Sequence, residues 1–354
     1  MTTGQENILK SRLSAQRLTG PPASSPEEVV RHLLAVQAQD PRGARLAVRA
    51  RSQDVLAADV DDALTNRRSL VVAWLNRSTL HLVTSEDYWW LFPLVTPQLA
   101  AGNAHRLAQE GVNPAQAERA VRLIVEAITA SGPMTRGELR SLLADEAVPV
   151  AGQALVHVLA AAAFRAQVVR GPVRDNEQCF VNAHEWLGPA PAALARDAAL
   201  ARLARRFLNG HGPASAQDLA KWAGIRLSYA RAGLRALEDD LVSVGEGFVD
   251  LAGRRASKSL PPPRLLGPFD PVLHGWSSAD FVLAGHKEVI TVNGLFRPFL
   301  MVRGQAAGIW SLAGGQLTMR PFQSPSTEVR EALLADSAQV LAYLGLPSLP
   351  AVLA

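Results

Sequence analysis

A repeated segment in the middle of the chain constrains its fold more than any other feature. The sequence GPMT at residues 132–135, followed by Glu138, returns 80 residues later as GPAS at 212–215, followed by Asp218. In both copies a hydroxyl side chain precedes an acid by three residues, which is the pattern of a capping box at a helix start. Repetition at the spacing of a small domain indicates a duplicated structural unit.

The segments around the two predicted helix starts follow one order of elements. A helical pattern precedes each start, and a short helix, a longer helix and two strand-like runs follow it. In the first copy these are RAVRLIVEAITASG, a short helix through Leu142 and Leu143, an Ala-rich helix from about Gly152 to Gln167, and the runs QVVRG and QCFVNAHEW. In the second copy they are ALARLARRFLNG, AQDLAKWAG, SYARAGLRALEDD, LVSVG and GFVDLA. Three helices and a hairpin in this order are typical of a winged helix, whose third helix usually reads a DNA groove.

A looser copy of the same unit begins the chain. Ser25 and Glu28 form another capping-box pattern, which predicts a helix from Pro26 to about Gln37. The apolar runs SLVVAWL and TLHLVT, joined through residues 76–78, are interpreted as the wing of this first unit.

The C-terminal part of the chain has a different pattern. After three consecutive prolines at 261–263, short apolar runs are separated by Asn293-Gly294, Arg303-Gly304 and Gly314-Gly315, which predicts a β-meander, and a final helix is predicted from about Thr327 to Leu344. We therefore predict an α+β fold of tandem winged-helix domains. Its segments are a first unit at 1–113, a second at 114–188, a third at 189–253, and the C-terminal β-meander with its terminal helix at 254–354.

Composition and charge narrow the class of protein. A chain of 354 residues that is 48% hydrophobic and 19% charged is globular rather than disordered. Cys179 is the single cysteine, which excludes an intramolecular disulfide and favours a reducing compartment. Because the sequence has neither a signal-peptide run nor a segment of roughly 18 to 20 apolar residues, we expect a cytoplasmic protein that does not enter a membrane.

The basic residues are mostly arginine. Of 36 basic residues the lysines are Lys10, Lys221, Lys258 and Lys287, and the isoelectric point is about 9.6. Arginine is favoured where a planar group grips phosphate, and a GC-rich genome would enrich arginine and alanine together. Both explanations stay open.

Conventional catalytic and cofactor motifs are absent from the sequence. It contains no GxSxG elbow, no P-loop and no GxGxxG after a strand, and its 8 histidines show no metal-ligand spacing. His81 in an apolar strand and His157 in an apolar helix are interpreted as structural. We predict that the protein needs neither a metal nor a nucleotide cofactor.

Two glutamines interrupt the apolar pattern of the first capped helix. Gln37 follows Val30 and Leu34 at helical spacing, so an amide stands where an apolar side chain is expected. An unpaired buried amide would cost about 1 to 3 kcal/mol, so Gln37 either caps backbone or faces a solvated cleft. Pro41 favours extended backbone near Gln39, which would turn both amides toward one site.

The runs LLAVQAQDPRGARLAVRAR, VVAWLNRSTLHLV and FDPVLHGW resemble a known family. Across essentially its whole length the chain is similar to the bacterial winged-helix alkylpurine DNA glycosylases typified by AlkZ, which unhooks azinomycin crosslinks in antibiotic self-resistance. The most specific match is Gln37-Ala38-Gln39. The sister branch typified by YcaQ carries aspartate at the second position, so Gln39 favours the crosslink-repair branch.

The resemblance implies a function and a set of site residues. It implies monofunctional cleavage of the N-glycosidic bond of cationic 7-alkylguanine in double-stranded DNA, with bulky adducts and interstrand crosslinks as further candidates, and no metal. Gln37 and Gln39 would be the catalytic pair. Asp40 would add negative potential or form a turn, and Asp61 and Asp62, at a predicted helix start, would be caps, with a transition-state role for Asp62 as the alternative. A monomer suits a non-palindromic lesion.

Candidate DNA contacts each have a structural alternative. Arg42 and Arg45 follow the glutamines and would bind phosphate or cover a solvated face. The Asn293-Gly294 hairpin carries Phe296 and Arg297, an apolar wedge beside a cation, and is either a DNA contact or a plain packed hairpin. The resemblance, in which a C-terminal hairpin approaches DNA, favours contact. Trp74, Tyr88, Trp89 and Trp90 are assigned to packing.

Two other functions fit a winged-helix protein. A transcriptional regulator would be a dimer on a palindromic operator, and a damage-binding protein would recognise the lesion without catalysis. The sequence shows no dimerisation coiled coil or ligand-sensing domain, and a regulator would have no use for the two glutamines.

Overall fold

A computed structural model describes residues 3–174, 177–255, 259–291, 293–347 and 349–354. Its α-helices are α1 (Thr3–Ala15), α2 (Pro26–Leu33), α3 (Pro41–Arg49), α4 (Ala57–Thr65), α5 (Ser85–Val95), α6 (Pro97–Gln109), α7 (Pro114–Ser131), α8 (Arg136–Asp145), α9 (Ala154–Ala163), α10 (Ala183–Leu187), α11 (Arg196–His211), α12 (Ala216–Ala223), α13 (Leu227–Arg235), α14 (Asp280–Leu283) and α15 (Thr327–Tyr343). Its strands are β1 (Val36–Gln37), β2 (Leu70–Trp74), β3 (Leu80–Thr84), β4 (Val168–Arg174), β5 (Glu177–Asn182), β6 (Leu241–Gly245), β7 (Phe248–Leu251), β8 (Arg264–Leu266), β9 (Phe299–Val302), β10 (Gln305–Ala313), β11 (Gln316–Pro321) and β12 (Val352–Leu353). The mixed content of helices and strands predicted from the sequence is confirmed.

The chain divides into two compact units. We call residues 1–61 with 200–354 the discontinuous unit and residues 62–199 the continuous unit. The finer division into segments ending at 113, 188 and 253 stays a prediction. No helix of the described residues is long and apolar enough to cross a membrane.

In the continuous unit, helices pack on a sheet whose strands lie in the order β3-β2-β4-β5. Asn113 caps α7 and Thr135 caps α8, each through a complete capping box. Antiparallel β2 and β3 form the predicted hairpin around residues 76–78. The core between sheet and helices is made of buried aliphatic side chains of α7, α8 and α9 together with Phe180.

Trp74, His81 and His157 of this unit make contacts that fit the structural roles expected for them. Trp74 stacks on Phe180 with ring centroids 6.2 Å apart. His157 Nδ1 lies 2.8 Å from Asn103 Oδ1. Burial lowers the pKa of His81 to about 3, helped by the charge of Arg77, so the buried imidazole is neutral at physiological pH.

In the discontinuous unit, a capping box of Ser215 and Asp218 starts α12, and Gly224 ends it in a left-handed conformation. Strands β6 and β7 form a hairpin, and the C-terminal sheet has the order β12-β11-β10-β9-β8. The predicted turns at Arg303-Gly304 and Gly314-Gly315 connect consecutive strands of this sheet. Buried side chains of α3, the sheet and α15 form its core, namely Leu46, Leu265, Leu300, Trp310, Leu317, Met319, Leu333 and Val340.

The repeat of the sequence is also a repeat of backbone hydrogen bonds. Met134 and Phe180 exchange two backbone bonds of 3.1 and 2.7 Å, and Ala214 and Val249 exchange two bonds of 3.0 Å. Met134 and Ala214 occupy equivalent positions before the two capping residues. Each copy therefore ties the start of its second helix to the second strand of its own hairpin.

Candidate active site

The first capped helix ends earlier than its apolar pattern predicts. The predicted helix to about Gln37 is wrong in its end point, because α2 stops at Leu33 and Leu34 has φ 68° and ψ −47°. This conformation is close to a γ-turn and is rare for a residue with a large side chain. The chain therefore turns sharply and enters β1, and Gln37 lies on a strand rather than on a helix.

The two glutamine side chains meet, as extended backbone allows. Gln37 is buried, with 7% of its surface exposed, while Gln39 is exposed. Gln37 Nε2 donates a hydrogen bond of 2.5 Å to Gln39 Oε1. A carboxamide oxygen has two acceptor lone pairs, so Gln39 Oε1 keeps one for a water molecule. The arrangement is a buried amide that orients an exposed one.

The residues after the pair begin α3. Asp40 caps the helix, since its Oδ1 accepts a bond of 2.6 Å from the Gly43 backbone N–H. Asp40 was expected either to add negative potential to the site or to form a turn, and the cap corresponds to the turn. Arg42 is exposed and makes no hydrogen bond or ion pair with the described residues, so its charge is available to a ligand.

Arg45 is already paired within the protein. Its Nε donates a 3.0 Å bond to Asp61, and its Nη1 donates a 2.7 Å bond to the Pro41 carbonyl. Asp61 and Asp62 lie inside α4 rather than at its start, so their assignment as caps is wrong. Asp62 instead forms an ion pair with Arg67 and accepts a 2.7 Å bond from Asn66.

A fully buried ion pair holds the C-terminal end of α3. Arg51 and Asp270 have no exposed side-chain surface and are joined by two bonds of 2.9 and 2.8 Å. The other N–H groups of Arg51 donate to the Gln16 carbonyl, to Gln16 Oε1 and to the Ala47 carbonyl, so each of its donors is used. Asp270 also accepts a 3.0 Å bond from the Val272 backbone N–H.

A second ion pair joins α3 to the C-terminal sheet and helix. Arg49 pairs with Asp336, and Asp336 accepts a 2.6 Å bond from the Leu265 backbone N–H. Sequence reasoning missed Arg49, Arg51, Asp270 and Asp336. The available signal was that the RLAVRAR and FDPVLHGW runs both carry charges inside apolar sequence. These pairs fix α3, whose first turn follows the two glutamines.

The C-terminal hairpin differs from its prediction. Among the described residues, the Asn293-Gly294 turn is closed by an isolated bridge between Ile290 and Phe296, with backbone bonds from Thr291 to Leu295 and from Arg297 to Val289. Phe296 is half-buried against Phe269 and His274, so it is not a free wedge as predicted. The exposed apolar side chain at the tip is Leu295, with 62% of its surface exposed.

Comparison with known proteins identifies the family of the chain. The family model for AlkZ-like DNA glycosylases matches residues 30–343, which include the glutamine pair, both ion pairs and the hairpin. The chain belongs to the AlkZ-like DNA glycosylase family. The solved structure of Streptomyces sahachiroi DNA glycosylase AlkZ is similar over 100% of both chains, with 24% sequence identity and a TM-score of 0.80. No curated protein matches the chain.

This AlkZ-like glycosylase packs the first turn of α3 against backbone. A Cβ placed on Gly43 would lie 2.5 Å from the Pro268 carbonyl oxygen, a contact that real Cβ atoms do not make. We expect Gly43→Ala to lower the free energy of unfolding by about 1–3 kcal/mol, because α3 or the Pro268 segment must shift. Chemical denaturation measures this.

The matched control is Gly102→Ala in α6, where a Cβ would meet nothing within 4 Å. It should raise the free energy of unfolding by roughly 0.5–1 kcal/mol, since alanine favours helix over glycine. Equal effects of the two substitutions would show that the contact at Gly43 does not constrain α3.

Proposed function

We propose that this DNA glycosylase hydrolyses the N-glycosidic bond of cationic 7-alkylguanine in double-stranded DNA and leaves an abasic site. Gln37 and Gln39 are the catalytic pair. The observation that carries the proposal is the hydrogen bond from the buried Gln37 amide, which lies on β1 between apolar residues, to the exposed Gln39 amide.

Weak catalytic groups suffice for this reaction. A guanine alkylated at its 7-nitrogen is already cationic, so it leaves without being protonated. The enzyme must place a water molecule and stabilise a transition state with oxocarbenium character. Gln39 Oε1 accepts a hydrogen bond from the water, and Gln37 holds that oxygen in place.

The architecture proposed for DNA binding is a set of winged helices. Two sets of elements support this interpretation: α7–α9 with the β4–β5 hairpin, and α11–α13 with the β6–β7 hairpin. In each set the second helix begins with a capping box, and a backbone bridge joins the residue before that box to the second strand of the hairpin. The third helices differ. Most of α9 is buried, whereas α13 exposes Arg231 and Arg235 on the side opposite its buried residues. We assign the contact with duplex DNA to α13 rather than to α9.

The residues proposed to contact DNA near the lesion are those whose side chains or backbone are exposed. Arg42 binds phosphate, and the hairpin tip of Asn293, Gly294 and Leu295 approaches the duplex with Arg297 beside it. Leu295 takes the wedge role predicted for Phe296, because its side chain is exposed. Arg45 is instead paired with Asp61 of α4 and donates to the Pro41 carbonyl at the start of α3.

The salt dependence of DNA binding separates the two arginines. We expect Arg42→Ala to weaken binding to damaged and undamaged DNA equally and to reduce the slope of log affinity against log salt by roughly 0.9. Arg45→Ala should leave this slope unchanged, because its charge is paired with Asp61. Fluorescence anisotropy at several salt concentrations measures both. A reduced slope for Arg45→Ala, with none for Arg42→Ala, would reverse the assignment.

The proposal also covers lesions larger than 7-methylguanine, as the sequence Gln37-Ala38-Gln39 suggests. With Gln39 rather than aspartate at the second position, we propose bulky adducts and interstrand crosslinks as substrates besides simple 7-alkylguanine. The protein would act as a monomer on the nucleoid in the cytoplasm, without a cofactor.

An abasic-site assay tests the function. The protein is incubated with duplex DNA that contains one 7-methylguanine, and alkali cleaves the strand wherever the base has been released. We expect cleavage at the lesion and none in the unmodified duplex. Lesion-selective binding without cleavage would identify a damage-binding protein, and binding only to a palindromic operator would identify a regulator.

A further inference from the structure

Three aromatic side chains of the discontinuous unit form a half-buried cluster that has no assigned role. Phe269 and His274 stack with ring centroids 6.0 Å apart and 11° between the planes. Phe296 lies against both, at 5.0 Å from Phe269 and 4.3 Å from His274. All three side chains keep part of their surface exposed. The cluster therefore keeps aromatic surface that a ligand can contact.

The cluster lies beside the first turn of α3. Pro268, which precedes Phe269, is the residue whose carbonyl approaches Gly43, and Gly43 donates its N–H to the Asp40 cap. Asp40 directly follows Gln39. The backbone therefore brings Phe269 to the end of α3 at which the glutamine pair stands.

The backbone at Phe269 is strained. Its φ is 58°, in the left-handed region that L residues with large side chains rarely adopt. The next residue, Asp270, is locked in the buried ion pair with Arg51, which holds this conformation in place. Residues held in such conformations by their surroundings cluster at active sites and ligand-binding sites.

We propose that Phe269, His274 and Phe296 form an aromatic platform that stacks on the alkylated purine when it leaves the duplex. The platform deepens the proposed function and rests on it. A 7-alkylguanine base carries a positive charge, and the face of a phenyl ring is electron-rich, so Phe269 binds the damaged base more strongly than neutral guanine. The platform selects the cationic base, and the glutamine pair places the water that replaces it.

The proposed platform also gives a role to Phe269 and His274 of the FDPVLHGW run. Asp270 of this run holds α3 through Arg51, and Trp276 donates a 2.8 Å bond to the His211 carbonyl. Phe269 and His274 stack on each other and contact Phe296 of the hairpin. One short segment thus connects the anchor of α3 with the proposed surface for the base.

The test compares Phe269→Leu with Phe269→Tyr. Leucine has the same backbone restrictions as phenylalanine at this position but no aromatic face, whereas tyrosine keeps the face. Single-turnover release of 7-methylguanine and affinity for damaged and undamaged duplex are measured for each. We expect Phe269→Leu to slow release about tenfold or more and to reduce the preference for damaged DNA, since stacking of one base is worth about that factor. Affinity for undamaged DNA should not change, and Phe269→Tyr should stay close to wild type.

Phe322→Leu is the matched control. Phe322 stacks on His286 with centroids 4.1 Å apart and forms a similar aromatic pair elsewhere in the same unit. It should release the base at the wild-type rate. Wild-type rates of base release by Phe269→Leu would overturn the platform. A Phe269→Leu protein that loses both thermal stability and affinity for undamaged DNA would also overturn it, because the side chain would then be structural. If the wild-type protein releases no 7-methylguanine, the proposed function fails before any variant is compared.

Discussion

Alanine in place of Gln39 should slow the release of 7-methylguanine by about a hundredfold, or roughly 3 kcal/mol of barrier. Gln39 is the exposed member of the pair and holds the acceptor oxygen for water. Because this contact is realised in the transition state, affinity for damaged DNA should stay close to wild type. Gln37→Ala should slow release by a smaller factor, since Gln37 acts by orienting Gln39.

Single-turnover kinetics, circular dichroism and a binding titration on the same samples measure these effects. Gln53→Ala is a suitable control, because Gln53 is exposed and its amide bonds only the neighbouring Asp54. Wild-type rates for both Gln37→Ala and Gln39→Ala would place the catalytic site elsewhere. Loss of activity that follows loss of helical signal would mean that the glutamines are structural caps.

The largest expected effect on stability is that of Asp270→Ala. It leaves the guanidinium of Arg51 buried without its counter-charge, which commonly costs about 3–5 kcal/mol. Asp270 also holds the segment that carries Phe269, so release of the damaged base should fall even where the protein remains folded. Denaturant unfolding gives the free energy, and base release is assayed at low temperature.

Asp61→Ala serves as the control, because it removes a partly exposed ion pair rather than a buried one. Asp61 keeps 51% of its side-chain surface exposed, so losing its pair with Arg45 should cost no more than about 1 kcal/mol. If Asp270→Ala costs as little as Asp61→Ala, the buried pair does not anchor α3 and the platform loses its rigid support.

Local signals predicted much of the fold. The capping boxes at Thr135 and Ser215, the two copies of three helices and a hairpin, and the turns of the C-terminal sheet were all readable, because each depends on residues close together in the chain. The end of α2 was not. Its apolar pattern continues through Leu34, and the turn at this residue, whose side chain is fully buried, has no signal in the local sequence.

The candidate site was predictable only in part. The meeting of Gln37 and Gln39 followed from Pro41, which lies nearby in sequence. The pairing of Arg51 with Asp270 joins residues 219 positions apart, and local patterns carry no information about such contacts. The same limit applies to Phe296. The sequence predicted it as an apolar wedge, whereas in the structure it packs on Phe269 and His274, which are distant in sequence.

The most direct test is the rate of 7-methylguanine release by the double variant Gln37→Ala with Gln39→Ala, compared with wild type and both single variants. If the two amides hold one water molecule, they fail together, and the double variant should be about as slow as Gln39→Ala alone. Affinity for damaged DNA should be unchanged in each protein. A double variant that releases the base at the wild-type rate, or one whose loss equals the product of the two single losses, would contradict a shared catalytic pair.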